Sequence, residues 1–174
     1  PSHQLATMMC DSGLLAQDLV DVIDSLLPAS IAAASDRGST AVNRFAIFGN
    51  LSRPKGLDLV LKAVLLAREQ GAPVHLTIFG PVERRREGLS ADQDRYQDLV
   101  DSLLNRLSEC VTVSGAYHQR EIPELMASVA WVVMGSRWRE NAPVVIEEAL
   151  ACGRPLLVPG FGGMGEKVRD GLDG

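Results

Sequence analysis

Aromatic side chains are scarce: Phe, Tyr and Trp supply 5% of the 174 residues, so the core has to be built mostly from Leu, Val and Ala. With 46% hydrophobic residues there is enough of that material for one domain. Cysteine is nearly absent. Cys10, Cys110 and Cys152 form an odd, scattered set with no C-x-x-C and no Cys/His pair at metal spacing. That argues against a disulfide framework or a zinc site and points to reduced thiols in a cytoplasmic setting. Long apolar runs are missing too. Runs such as 129–135 fall far short of the ~20 residues a bilayer crossing needs, and nothing reads as a signal peptide. Membrane contact would then be peripheral and supplied by a part outside this chain. Positive charge is in deficit, with 17 Lys and Arg against 22 Asp and Glu and a net charge of −5. A free-standing nucleic-acid binder needs the opposite balance; a small basic pocket does not.

What is there falls into two parts. Residues 1–43 read as an N-terminal helix and linker. Apolar residues at near-helical spacing run over 14–27, with Asp11 or Ser12 as cap and Pro28 as stop. The small, polar stretch 29–43 reads as a loose linker. From Arg44 the chain becomes rhythmic. Short apolar runs at 45–48, 74–79, 110–113, 131–134 and 156–158 read as strands. Amphipathic stretches at 57–70, 90–107, 122–128 and 143–152 read as helices, and another starts at 165–170. Alternating strands and helices with continuously apolar strands imply a parallel sheet covered on both faces, an open, doubly wound, Rossmann-like α/β domain over 44–174. Gly49, Gly80, Gly115 and Gly135 close four of the strands, and in such sheets ligands bind beyond the carboxyl ends. The chain stops just after a helical start, which reads as a domain truncated at its C-terminus.

The stretch 139–150 carries the chemistry. Asn141 is a favourable N-cap and Pro143 fits a first helical turn, so a helix is expected to start near Ala142. Its free N–H groups and positive dipole end favour a phosphate. Glu148 would stand ~10 Å along the axis, at 1.5 Å per residue, about a pyrophosphate-plus-ribose length away. An ionised carboxylate there accepts two hydrogen bonds from vicinal hydroxyls. Glu140 lies before the cap, at the mouth. The spacing alone also fits two surface glutamates around an ordinary helix.

With its flanks, this stretch resembles the E-x7-E motif of the large retaining glycosyltransferase family called group one or family four. Glu140 and Glu148 are the two glutamates, and Glu148-Ala149-Leu150-Ala151-Cys152-Gly153-Arg154-Pro155 stands for the family's EAMACGxP. Phe48-Gly49-Asn50-Leu51-Ser52-Arg53-Pro54-Lys55-Gly56 resembles its first-strand G-R-x-x-x-x-K-G loop, and Gly162-Gly163-Met164-Gly165-Glu166 its G-G-x-x-E block. The resemblance implies the second domain of a two-domain GT-B enzyme, which holds a nucleotide-diphosphate sugar. Glu148 would hold the ribose, Glu140 the donor sugar and Lys55 the diphosphate. Gly49, Arg53, Asn141, Ala142, Pro143 and Val144 complete the donor-binding set, although Pro143 has no N–H. Glu140 and Lys55 are the catalytic candidates. No cofactor and no metal are implied, and the acceptor site belongs to an absent N-terminal domain. One departure stands out: the family's arginine falls at Asn50, with Arg53 as candidate replacement.

Other features read as structure. Asp92-x-Asp94 has the form of a metal-binding D-x-D but sits where a helical first turn favours acids. His118 and the run Arg84-Arg85-Arg86 read as solvated loop, and Trp131 reads as core. No Ser/His/Asp or Cys/His set suggests hydrolysis. A receiver domain would want acids after the first strand, where Gly49-Asn50-Leu51-Ser52 stand. Another GT-B enzyme, such as a sugar-nucleotide epimerase, or a degenerate nucleotide-binding domain, are the rival readings.

Overall fold

A computed structural model describes residues 2–23, 27, 31, 40–82 and 90–174. Five short strands, β1 (Arg44–Phe48), β2 (His75–Phe79), β3 (Val111–Gly115), β4 (Trp131–Val133) and β5 (Leu156–Leu157), form one parallel sheet in the order β3-β2-β1-β4-β5. The strands alternate with α2 (Leu57–Glu69), α3 (Ala91–Arg106), α4 (Ile122–Ala127) and α5 (Val144–Ala151). A helix α1 (His3–Asp11) precedes the sheet and α6 (Gly162–Lys167) follows it. This is the doubly wound class expected. Successive side chains of β1 go to opposite faces. Ala46 and Phe48 join a core with Met126, Val132, Ile146, Ala149 and Leu156 under α4 and α5. Ile47 joins one with Leu57, Leu61, Ile78, Val100 and Leu103 under α2 and α3. Each fully buried Leu or Ile contributes about 1.5–3 kcal/mol of transfer free energy, which Leu, Val and Ala supply here in place of aromatics.

From Arg44 onward the expected elements stand within a residue or two of the observed ones as far as β5. Ser90 caps α3 in a full capping box with Gln93, and Asp92 and Asp94 lie in its first turn. The departures are informative. Residues 14–23 form no α-helix; the helix is His3–Asp11, capped by Ser2, whose Oγ accepts from Leu5 N–H at 3.0 Å. Gly13, at φ 74°, follows its end. Leu14 and Ile23 remain 71% and 73% exposed. A periodic apolar stripe needs a surface to bury against, since isolated helical propensity is weak; here Leu14, Leu15, Leu19 and Ile23 stay exposed, while Leu27 packs on the core. The stretch 29–43, expected to be a loose linker, contributes a core residue, Ile31, fully buried in the α4/α5 core. Arg84, Arg85 and Arg86 lie outside the described residues. α6 begins at Gly162 rather than Gly165, and its first two residues, Gly162 and Gly163, press against the loop after β4. A Cβ on Gly163 would stand 1.9 Å from the Asn141 carbonyl oxygen.

No described helix is long and apolar enough to cross a membrane.

Candidate functional site

The loops beyond the carboxyl ends of β1, β3 and β4 frame a cavity of about 540 Å³. It sits beside the switch point between β1 and β4, where the chain direction of winding reverses. Gly49, Asn50 and Lys55 of the β1 loop line one side. Pro143, Val144, Val145 and Glu148 of α5 line another, and Ala116, Tyr117 and Gln119 of the β3 loop a third.

The β1 loop reaches Lys55 by a 3₁₀ turn, Arg53–Lys55, that ends on Gly56 at φ 67°. A side chain at Gly56 is barred twice, by that left-handed backbone and by the Gly135 carbonyl oxygen 1.8 Å from where its Cβ would lie. The β1 and β4 loops therefore touch backbone to backbone. Asp58, in the first turn of α2 and 2% exposed, locks them. Its two oxygens accept from Arg137 Nη1 and Nη2, both at 2.6 Å, a bidentate pair. Burial pushes the Asp58 carboxyl up, but the hydrogen bonds and charge of Arg137, aided by Lys62, outweigh it and hold the group below its ordinary range. The Arg137 N–H also donates to the Pro54 carbonyl at 2.9 Å.

Beyond Arg137 the β4 loop carries Trp138, exposed, and then Glu140, 5% exposed. Lys55 Nζ donates to Glu140 Oε1 at 2.7 Å, and Ser136 Oγ donates to the same oxygen at 2.6 Å. The Glu140 carbonyl accepts from Gly163 N–H at 2.7 Å.

Asn141 does not cap α5. That helix starts at Val144 with Pro143 at the cap position and no side-chain cap bond. Asn141 Oδ1 instead accepts from the Ser2 N–H at 2.7 Å. The favourable capping propensity lost to a tertiary contact: the start of α1 brings its own N–H donors to this loop. His3 and Gln4 N–H donate to the Glu166 carboxylate at 2.8 and 2.5 Å, and Gly162 N–H donates to Gln4 Oε1 at 2.6 Å. In the first turn of α5 the Ile146 N–H donates to the Pro143 carbonyl at 3.0 Å, and Val144 and Val145 line the cavity.

Glu148, one turn further along α5, is 6% exposed. Burial raises its pKa above the ordinary carboxyl value, opposed by a hydrogen bond from Gln119. Tyr117 is raised as well, by burial and then by the Glu148 charge. The Tyr117 ring packs edge-on to Phe48 at 5.8 Å. Glu147, the adjacent residue, points elsewhere and pairs with Lys167.

Of the residues singled out in the sequence, Gly49, Lys55, Pro143, Val144 and Glu148 line the cavity. Glu140 stands behind Lys55. Ala142, Asn141 and Arg53 do not line it. The Arg53 guanidinium lies 5.8 Å from the Tyr96 ring centroid and 4.0 Å from Asp92 on α3, so it does not occupy the place left by Asn50. Asp92 is bonded to Arg95 at 2.5 Å. Among the described residues no three His, Cys, Asp or Glu cluster to hold a metal. His118 is exposed, and its N–H donates to Glu121 Oε2 at 2.6 Å in a turn. Its neighbours Tyr117 and Gln119 face the cavity instead. Nothing in the sequence marked them beyond their place in a strand-end loop, and nothing marked the Asp58–Arg137 pair.

Comparison with known proteins bears on the family and the fold. A family model described as "Glycosyl transferases group 1" matches residues 42–174. The lipopolysaccharide 1,2-N-acetylglucosaminetransferase of Salmonella typhimurium is 26% identical over 126 residues, 72% of this chain and 32% of that protein. Among solved structures, Anabaena HepE in complex with UDP-glucose is 25% identical, with a TM-score of 0.70, covering 99% of this chain and 47% of that one. The lipopolysaccharide outer core galactosyltransferase WaaB, in its apo form, is 19% identical with a TM-score of 0.66, covering 99% and 46%. The chain thus spans between about a third and a half of the length of these relatives. The Rossmann-like sheet, the cavity at its carboxyl edge and the family match over three quarters of the residues lead to one conclusion: this chain belongs to the group 1 glycosyl transferases and has the fold of one half of a GT-B enzyme.

Proposed function

We propose that this chain is the nucleotide-sugar-binding domain of a retaining hexosyltransferase, which moves a sugar from a nucleoside diphosphate to an acceptor hydroxyl. The observation that carries the reading is one cavity with a lysine on one wall and a buried carboxylate on another, joined by the start of α5. Lys55 and the α5 N-terminus supply positive charge for a diphosphate. In this reading Glu148 accepts two hydrogen bonds from ribose hydroxyls, and Glu140 accepts from the sugar. Gly49 and Val144 offer backbone, and Tyr117 and Gln119 form the wall nearest Glu148. The HepE structures with UDP and UDP-glucose support a uridine donor.

The chemical task is to stabilise the leaving diphosphate as its bond to the sugar breaks, and the α5 dipole and a lysine held at the cavity do that once the donor is seated. No cofactor or metal enters this scheme. The acceptor and any base acting on it belong to a further domain, so the chain by itself binds donor without turnover. We assign 44–174 to the donor domain, 1–43 to a preceding helix and linker, and the whole to the cytoplasm, with any membrane contact made by the further domain. A second reading, a domain that binds nucleotide without transferring sugar, draws on neutral Asn50 in the cavity wall.

Calorimetry with UDP, GDP, ADP and UDP-glucose tests the proposal. Weak binding of at least one is expected; a folded chain that binds none at millimolar concentration rules out the donor site. Transfer by the longer protein separates the two readings.

A further inference from the structure

Lys55 and Glu140 come from loops after different strands, held together by the Gly56–Gly135 contact and the Asp58–Arg137 pair. Among the described residues, Lys55 Nζ from the β1 loop and Ser136 Oγ from its own loop face the Glu140 carboxylate. Arg139, next in the chain, turns away and donates to Met8 Sδ at 3.2 Å. Other cations nearby are engaged: Arg137 by Asp58, and Arg53 beside Tyr96 and Asp92. Among the described residues that line the cavity, Lys55 is the one cationic side chain. The charge a diphosphate would draw on is thus already in use, by a carboxylate that burial makes costly to leave unpaired.

We propose that Glu140 is an internal rival of the diphosphate for Lys55. A nucleotide sugar exchanges partners at both ends: the diphosphate takes Lys55, and the sugar hydroxyls donate to the freed Glu140 carboxylate. Once the sugar has left, Glu140 has lost its replacement donors and reclaims Lys55, which loosens the remaining nucleoside diphosphate. Glu140 then acts on product release as well as on the sugar. The inference rests on the donor-site reading above.

Titration calorimetry of UDP and UDP-glucose against this chain tests it, with thermal unfolding as a check on each variant's fold. Glu140→Gln frees Lys55 and removes a negative charge, so UDP is expected to bind about fivefold tighter, the ratio matching an ion pair near 1 kcal/mol. UDP-glucose gains less, because it also loses its carboxylate acceptor. In a Lys55→Met background the gain from Glu140→Gln disappears. Ser136→Ala, a smaller change, leaves Glu140 more dependent on Lys55 and lowers UDP affinity. Unchanged or weaker UDP binding in folded Glu140→Gln overturns the proposal. So does a gain that persists without Lys55, or Ser136→Ala that fails to weaken UDP. A wild-type chain that binds neither ligand defeats the donor-site reading itself, and the rivalry falls with it.

Discussion

Two adjacent glutamates, Glu147 and Glu148, have opposite fates on α5. They face about 100° apart, so one pairs with Lys167 while the other is buried against the cavity. Glu148→Ala is therefore expected to weaken UDP binding by about 1.5–3 kcal/mol, the range for hydrogen bonds to a charged group, and Glu147→Ala to leave it nearly unchanged. Calorimetry on both variants decides, and equal losses would remove Glu148 from the ribose role. Burial also makes Glu148 a liability for the fold. A pKa raised in the folded state means stability is greatest below the unfolded value and is lost as pH rises through the folded one. Glu148→Gln should thus melt higher than wild type at neutral pH, with the gap closing in acid, as thermal unfolding from about pH 4 to pH 8 will show. The cations of the β1 loop differ in the same way. Lys55→Ala should reduce both diphosphate affinity and its salt dependence. Arg53→Ala should change neither, since its guanidinium lies over Tyr96, and Asn50→Arg should tighten binding because Asn50 lines the cavity. A salt slope unchanged in Lys55→Ala would take the phosphate out of this loop.

At the level of elements, the device that holds the site is the crossing of the β1 and β4 loops. Asp58→Ala leaves the Arg137 guanidinium without its bidentate partner and should cost about 2–4 kcal/mol, somewhat under a fully buried pair because Arg137 is partly exposed. The sign with pH is opposite to that of Glu148. A depressed folded pKa contributes stability above the unfolded value that is lost as pH falls through the folded one. Chemical denaturation of Asp58→Ala at neutral and acid pH reads this as a deficit that shrinks in acid. A constant deficit would mean that packing, not charge, holds the crossing. The strands, α2, α3 and α5 were legible because their side chains alternate or recur against one continuous core, and burial rewards that pattern directly. α1 was not, because none of its nine residues is buried and the helix is tied down instead by Ser2, Asn141 and Glu166. Asn141 misled for the same reason: a good local cap lost to a partner 139 positions away. The Asp58–Arg137 pair and the Tyr117–Gln119 wall depend on distant loops meeting, and no local spacing encodes that.

For the molecule as a whole, the acidic balance and the single cavity lysine mean that attraction for a dianionic ligand is local. Its range is limited by screening to about 8–10 Å at ordinary salt. The motif blocks in the sequence pointed to this region, and Glu148 and Lys55 stand in it together. Arg53 and Asn141, which lie in the same motif stretches, do not line the cavity. The molecule also carries its own optical labels. It has two tryptophans. Trp131 stacks on Phe45 at the start of the central strands, with centroids 6.5 Å apart, while Trp138 is 55% exposed two residues before Glu140. One indole reports the state of the sheet and the other the state of the loop. In Trp131→Phe, the remaining emission should be readily quenched by iodide and should respond to UDP-glucose. In Trp138→Phe it should resist iodide and change only on unfolding. Because Trp138 rides on the segment that offers Glu140 to Lys55, the red, quenchable part of the fluorescence becomes a direct clock for how fast that segment rearranges when ligand arrives and leaves.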